Sequence, residues 1–428
     1  MNRPILRSLF LAPILLTSAL APSVGDWTQE ELEAVTAVIQ KDVEKIREAE
    51  FKHPVAVKII DKAGFLKFAI SHTEETTTPD QLKAEETIGK MLGMIPAEMD
   101  LLKSTLALLE GQVGGFYDPA GNIFYLMEGF TGGIAKVILA HELTHALDDQ
   151  YYDLDGGFAS RMQNRDSLSA YQAVVEGSGT AAMQHWTLSH LGEINLAELA
   201  ENDSLGTEAM ADAPAALWKP MLASYMAGQA FLTAGQKALK AEAKKLNPGS
   251  KPSSVALATV INLAFESPPL STEQILHPEK YWEKAERDEP LQVEVSIPAP
   301  KGWTVLDKTV LGELQLALIT EDSKPVDFGN PMSLMGIKYT NSIAAGWGGD
   351  QLALYGKDDA RMLVVTIAWD TKQDADEFMS AMQPRISNWK DQVDKLDEHK
   401  QGSGVELTRE GEKRVTFDVW YGFDRTKQ

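Results

Sequence analysis

Apolar residues recur at helical spacing over most of the first two thirds of the chain and at shorter, strand-like spacing over the last third. Leu32, Val35, Val38, Ile39, Val43 and Ile46 form one stripe behind Thr28 and Glu31, which read as a capping box, so an amphipathic helix is expected to about Glu50. A short strand is expected over 55–60, then helices over 79–92 and 96–109. The period then changes. Gly115-Phe116-Tyr117-Asp118 and Ile123-Phe124-Tyr125-Leu126 flank an Asp-Pro-x-Gly turn, the pattern of a β-hairpin. Helical spacing returns from about Ile134, continues in a long helix over about 166–191, and is seen again over 209–245 and 253–265, with a Pro-Gly-rich loop at 244–252.

Beyond about Asp288 the texture predicts strands over 293–297, 314–320, 352–355, 362–369 and 415–421, with one helix over 372–382. The expected fold class is therefore α+β: a mainly helical domain with a small sheet over 26–288, then a smaller α+β domain over 289–428. The charged stretch 391–404 reads as a solvated helix end and loop.

Composition narrows the functions available. With 44% hydrophobic residues in 428 the chain can bury a sizeable core. A formal net charge of -22 argues against nucleic-acid partners, whose phosphates it would repel. There is no cysteine, so any metal site must be built from histidines and carboxylates. At the N-terminus, Arg3 and Arg7 precede an apolar run from Leu9 to Ala21, too short to span a bilayer, which needs about 20 residues. It reads as a signal peptide over 1–25, cut after Ala19, Ala21 or Gly25, so the chain is expected to be exported, periplasmic or secreted, with no stable membrane insertion afterwards.

The chemistry concentrates in His141-Glu142-Leu143-Thr144-His145, inside a stretch free of helix breakers after Gly133. On a helix, residues four apart lie about 40° apart around the axis, so both imidazoles can close on one ion, and Glu142 falls on the same side. A catalytic zinc needs a third protein ligand and an open position. Glu176, on the next long helix between Val175 and Gly177, fits that need, although an ordinary exposed helix carboxylate is the alternative. Gly177 and Gly179 cost helix stability and imply a close neighbour there, such as the first helix. Asp149, four residues after His145, is placed to accept its second ring N–H, with Asp148 as the alternative. His185 and His190 are five apart, on different helix faces, and read as structural. His53, His72 and His399 read as surface or loop residues.

These residues resemble the gluzincin branch of zinc metallopeptidases, in which HExxH on one helix is completed by a Glu on the next. His141 to Leu154 (HELTHALDDQYYDL), Val175-Glu176-Gly177 and Ser271 to Tyr281 (STEQILHPEKY) are similar to a group of poorly characterised bacterial and archaeal zinc peptidases, and Gly346 to Asp350 with Trp369-Asp370 resembles their C-terminal part. Such relatives tend to carry alanine where this chain has Gly179, a difference expected to bear on helix packing. The resemblance implies a zincin-like domain holding one Zn2+ per chain on His141, His145 and Glu176, and hydrolysis of a peptide or protein substrate by a metal-activated water with Glu142 as general base. It implies an oxyanion donor downstream of Glu176, for which His277 comes first, Tyr281 second, and Tyr225 is a further option. It also implies a substrate-pairing edge strand, read as Asn122, Ile123, Phe124 and Tyr125. The alternative from another class is a non-catalytic exported binding or scaffolding protein with a zinc-stabilised core.

Overall fold

The computed structural model of the protein describes residues 27–194, 209–246, 254–321 and 326–425. The signal-peptide expectation for 1–25 falls outside them. The architecture is α+β, with a three-stranded and a five-stranded sheet.

Helix α1 (Gln29–Arg47) opens on the expected capping box. The Thr28 side chain accepts from the Glu31 amide, the Glu31 carboxylate accepts from the Thr28 amide, and Leu32, Ile39 and Val43 are buried. Strand β1 (Ala56–Ile60) leads into α2 (Lys62–Thr76), a helix the sequence pattern missed because only Phe65, Ala69 and His72 turn inward. His72 is therefore a buried helix residue, contrary to the surface or loop position expected for it. Helices α3 (Pro79–Met91) and α4 (Leu101–Gln112) follow, then the hairpin of β2 (Gly115–Asp118) and β3 (Ile123–Met127).

Strand order in this sheet is β1-β3-β2, with β1 parallel and β2 antiparallel to β3. Strand β3 is thus central, and the edge-strand reading of Asn122 to Tyr125 is corrected: both sides of that strand are already paired. The free edge facing the helical domain belongs to β2. Gly114 carbonyl accepts from Met127 amide on the β3 side, so by two-residue alternation Gly115 and Tyr117 present their backbone groups outward.

Helix α5 (Gly132–Tyr152) is buried nearly all round, which explains a sequence without a polar face between Ile134 and Leu147: its polar residues there are Lys136, which reaches Glu193 at the surface, and the buried His141, Glu142, Thr144 and His145. After the short α6 (Leu154–Ala159), it packs against α7 (Arg165–Ser189), and α7 against the long α8 (Ala215–Leu246). Two glycines set the α7–α8 crossing. A Cβ on Gly177 would lie 2.5 Å from the carbonyl carbon of Gly228, and one on Gly228 would lie 2.0 Å from the carbonyl oxygen of Ala173. The close neighbour expected at Gly177 is therefore α8 rather than α5. Helix α9 (Leu257–Glu266) and the short α10 (Thr272–Leu276) and α11 (Glu279–Trp282) complete the helical part.

The second sheet is antiparallel throughout, in the order β4 (Thr304–Thr309), β5 (Trp347–Lys357), β6 (Ala360–Trp369), β8 (Arg414–Tyr421), β7 (Ser403–Glu410). Residues 314–320, expected as a strand, belong to helix α12 (Gly312–Thr320), with Leu314, Ala317 and Thr320 buried at helical spacing. A short apolar run does not by its period distinguish a buried helix from a buried strand. Residues 293–297 form no ladder. They cross the sheet face, where Ser296 donates its amide to the Thr366 hydroxyl. Between them lies the short α13 (Pro331–Met335), and α14 (Lys372–Met382) and α15 (Ile386–Val393) cover the other face, packing Phe378 and Trp389 on Phe417. Trp347 is a core residue, fully buried with its indole N–H on Asp350.

The same core takes in Ala84, Ile88, Met91 and Leu92 from α3, and Trp389 donates its indole N–H to the Met91 carbonyl at 2.7 Å. A polar seam adds to the join. Asp166 of α7 accepts from the Thr272 amide and hydroxyl, and Lys280 reaches Glu273, Asp288 and Asp370 at 2.6, 3.0 and 2.8 Å. Among the described residues no helix is long and apolar enough to cross a membrane.

Alanine in place of a mid-helix glycine ordinarily stabilises by about 1 kcal/mol. At Gly228 the backbone contact reverses the sign: Gly228→Ala is expected to destabilise by about 1–3 kcal/mol in urea unfolding, and a rise in stability would show that the crossing yields freely.

Candidate metal centre

His141, Glu142 and His145 project from the middle of α5, and Glu176 from the middle of α7, where the two helices cross. All four are buried, at 0, 0, 0 and 1% exposure. His141 Nε2 lies 2.9 Å from His145 Nε2, and Glu176 Oε2 lies 3.3 and 3.4 Å from the two nitrogens. The rings stand perpendicular, with centroids 4.5 Å apart. Three ligand atoms about 2.0–2.2 Å from a tetrahedral ion sit about 3.3 Å from one another, so the spacing suits one small divalent cation. His141, His145 and Glu176 thus form a buried group able to hold a metal ion.

The electrostatics point the same way. Burial, and then the neighbouring His145, lower the pKa of His141, which favours the neutral ring that ligates. Burial opposes the ionisation of Glu176, yet the two imidazoles together hold its carboxyl down at about 2. Glu142 behaves in the opposite way. Burial first, and the Glu176 charge second, push its pKa well above the usual carboxylate range, and only the Tyr117 backbone amide draws it back. Apart from that amide, neither Glu142 oxygen finds a hydrogen-bond partner among the described residues. A carboxylate in that condition is poised to take a proton.

Two further features hold the donors together. A Cβ on Gly179 would come within 2.8 Å of the Cε1 atoms of both His141 and His145, so this glycine gives the imidazoles their room. Its role lies at the metal group, not in helix packing as the sequence comparison implied. Asp148 accepts from Arg47 Nε at 3.0 Å and Nη2 at 2.5 Å on one oxygen, and from Ser178 Oγ at 2.5 Å on the other, tying α1, α5 and α7 together two residues from Glu176. Asp149 does not serve His145. Its oxygens accept from the Tyr117 hydroxyl and the Leu154 amide, both at 3.0 Å, and Tyr117 also donates to Asn122.

The expected oxyanion donors are placed elsewhere. His277 caps α10 with Nε2 2.9 Å from Glu313 Oε1, an interaction that raises its pKa, and Tyr281 donates to the Ser267 carbonyl at 2.5 Å among Phe231 and Trp282. Of the three candidates only Tyr225 of α8 lies at the His141–His145–Glu176 group. Its ring stacks 5.7 Å from that of His141, and its hydroxyl hydrogen-bonds Glu176. Burial, followed by the Glu176 and Glu142 charges, raises its pKa strongly and keeps it a proton donor. The sequence signal for it was Gly228, three residues on, which admits α8 to α7. His185 is exposed and His190 stacks on Trp186, away from the metal group, in keeping with the structural reading of both.

Comparison with known proteins adds one match. The model of a domain of unknown function, DUF8575, matches residues 304–419, which hold the five-stranded sheet. No curated protein and no solved structure matches the chain.

Gly179→Ala is expected to lower zinc affinity about ten-fold or more, measured by competition with a chromogenic chelator, while the fold persists; unchanged affinity would mean that the imidazoles do not depend on this gap.

Proposed function

We propose that the chain is a zinc-dependent peptidase of the gluzincin type, acting on peptide or protein substrates and exported by its N-terminal segment. The observation that carries this reading is the buried convergence of two imidazoles and an ionised carboxylate beside a second buried carboxylate, Glu142, that only the Tyr117 backbone amide approaches. A site with only a structural role has no use for that second carboxylate. Burying it with one backbone amide as its compensation is costly, so its presence speaks for chemistry over scaffolding.

Zinc bound on His141, His145 and Glu176 supplies positive charge and Lewis acidity to the reaction centre. Glu142 then acts as general base. Its raised proton affinity lets it accept a proton from the attacking water and deliver it to the leaving amine. Tyr225, held protonated, donates its hydroxyl to the oxyanion that develops on the scissile carbonyl. An extended substrate is received by strand addition on the backbone groups that β2 turns away from β3, those of Gly115 and the Tyr117 carbonyl, in place of the β3 residues first considered, while the Tyr117 amide is turned to Glu142. The Tyr117 amide sits beside Glu142, so a chain paired there passes the general base. Tyr117 is itself fixed by Asp149 and Asn122 through its hydroxyl, which keeps this edge in register with α5.

Two variants test the assignment. Glu142→Gln should retain one zinc per chain and lose hydrolysis of an unstructured protein by about 100- to 10,000-fold; undiminished turnover would remove Glu142 from the mechanism. Tyr225→Phe should lower kcat by about 100- to 1,000-fold with KM little changed, whereas an effect confined to KM would assign Tyr225 to substrate binding alone.

A further inference from the structure

The seam between the helical part and the second sheet holds more buried acid than base. Asp166 of α7, Glu273 of α10, Glu313 of α12 and Asp350 of β5 are buried, at 1, 1, 0 and 2% exposure. The cations that reach them are Lys280, on Glu273 at 2.6 Å, and His277, on Glu313 at 2.9 Å. Lys280 also divides its charge with Asp288 and Asp370. Asp350 is met by neutral donors instead, the Leu311 and Gly312 amides and the Trp347 indole.

Asp166 accepts from the amide and hydroxyl of Thr272, and the Thr272 hydroxyl accepts from the Leu314 amide. One chain of hydrogen bonds thus runs from α12 through α10 to α7. The Asp166 carboxyl is pressed on the start of α12, where a Cβ on Gly312 would lie 1.8 Å from its Oδ1. The charges that bear on it, Glu313 and Asp350, are both negative, and the adjacent Arg165 is turned to Asp307 of β4. Glu273 meets Lys280 with one oxygen and buries the other without a hydrogen-bond partner, while Asp370 and Glu313 add negative charge beside it.

We propose that this seam is a proton-operated joint, closed while Asp166 and Glu273 carry protons and loosened as they ionise.

Several carboxylates buried together without matching cations are costlier than the same groups protonated. Burial is the first cause in both residues and holds each at about 8 against its hydrogen bonds. In an open joint both return to water and to the ordinary carboxyl range near about 4. The closed joint therefore keeps protons that the open one gives up, and acid favours closure. Between about pH 5 and 8 each such proton makes the open fraction grow about ten-fold per pH unit. His277, whose pKa the Glu313 contact raises, acts in the same sense above its ordinary value, and Lys280 stays charged throughout. Asp166 sits in the first turn of α7, so release of the joint frees the end of the helix that carries Glu176.

The test is hydrogen exchange of the full chain between about pH 5 and 6.5, below the ordinary value for histidine, with each rate divided by the intrinsic rate at that pH. Mass spectrometry follows peptides over 270–276 and 312–318, with one over 134–140 in α5 as reference. Opening at both seam peptides should rise about ten-fold per pH unit or more, and less at the reference. Asp166→Asn keeps the neutral form at every pH and should lower that slope by about one power of ten per pH unit. Glu273→Gln should do the same, and it decides the matter should Asp166→Asn fail to fold by circular dichroism. A slope that the folded variants leave unchanged overturns the joint. So does a rise that the reference peptide shares in full, since whole-chain unfolding then accounts for it.

Discussion

The structure is organised around one electrostatic problem: three electron-pair donors from two helices meet within 3.4 Å of one another where solvent does not reach. Donors of this kind repel when no positive charge lies between them, and in a low-dielectric interior the repulsion is strong. Their meeting has to be enforced by the scaffold. Helix α5 is therefore packed on every side, the α7–α8 crossing is narrowed by Gly177 and Gly228, and Gly179 removes the methyl that would part the rings. The buried Arg47–Asp148–Ser178 strut fixes α7 on α5 close to Glu176. Ion pairs of this type add little net stability against an apolar alternative, but breaking one side is severe, which suits a register-setting role.

What could be read from the sequence follows the range of the interactions concerned. Two histidines four apart on an unbroken helix, the capping box of α1 and the hairpin turn are local, and the structure has them where the pattern placed them. Glu176 was accessible because its glycine-flanked position on a second long helix is an anomaly of local propensity. The free edge of the small sheet was not accessible. It depends on β1 pairing in parallel with β3 across more than sixty residues, and a hairpin pattern says nothing about which of its strands a third will join. The donor candidate was sought by order along the chain at His277, whereas the helix crossing brings Tyr225, a residue the sequence offered only as a lesser option, to the buried group. Helix α12 was read as a strand because Leu-Gln-Leu-Ala-Leu-Ile alternates loosely, and its true period is visible only once both neighbours are known.

The residues that resembled catalytic parts without joining the metal centre do have a place. His277, Glu273 and Lys280 lie in the seam between the helical part and the second sheet, where His277 meets Glu313, and Lys280 meets three carboxylates including Asp370. Asp166 at the start of α7 belongs to the same seam, and burial raises its pKa to about 8 despite the Thr272 hydrogen bonds. The helix that ends its first turn on this seam carries Glu176 three turns later. The contacts holding the second sheet therefore also set the angle at which α7 reaches the metal group.

The hydrophobic interior beneath the second sheet is completed by α3, more than two hundred residues upstream of β4. A segment cut at the start of the recognised family region would open the core that Met91 and its neighbours complete and leave the Trp389 indole N–H without its carbonyl partner. The unit that folds is thus wider than the unit that recurs in other chains, and any exchange of this sheet between proteins by recombination must carry a matching helix from the host.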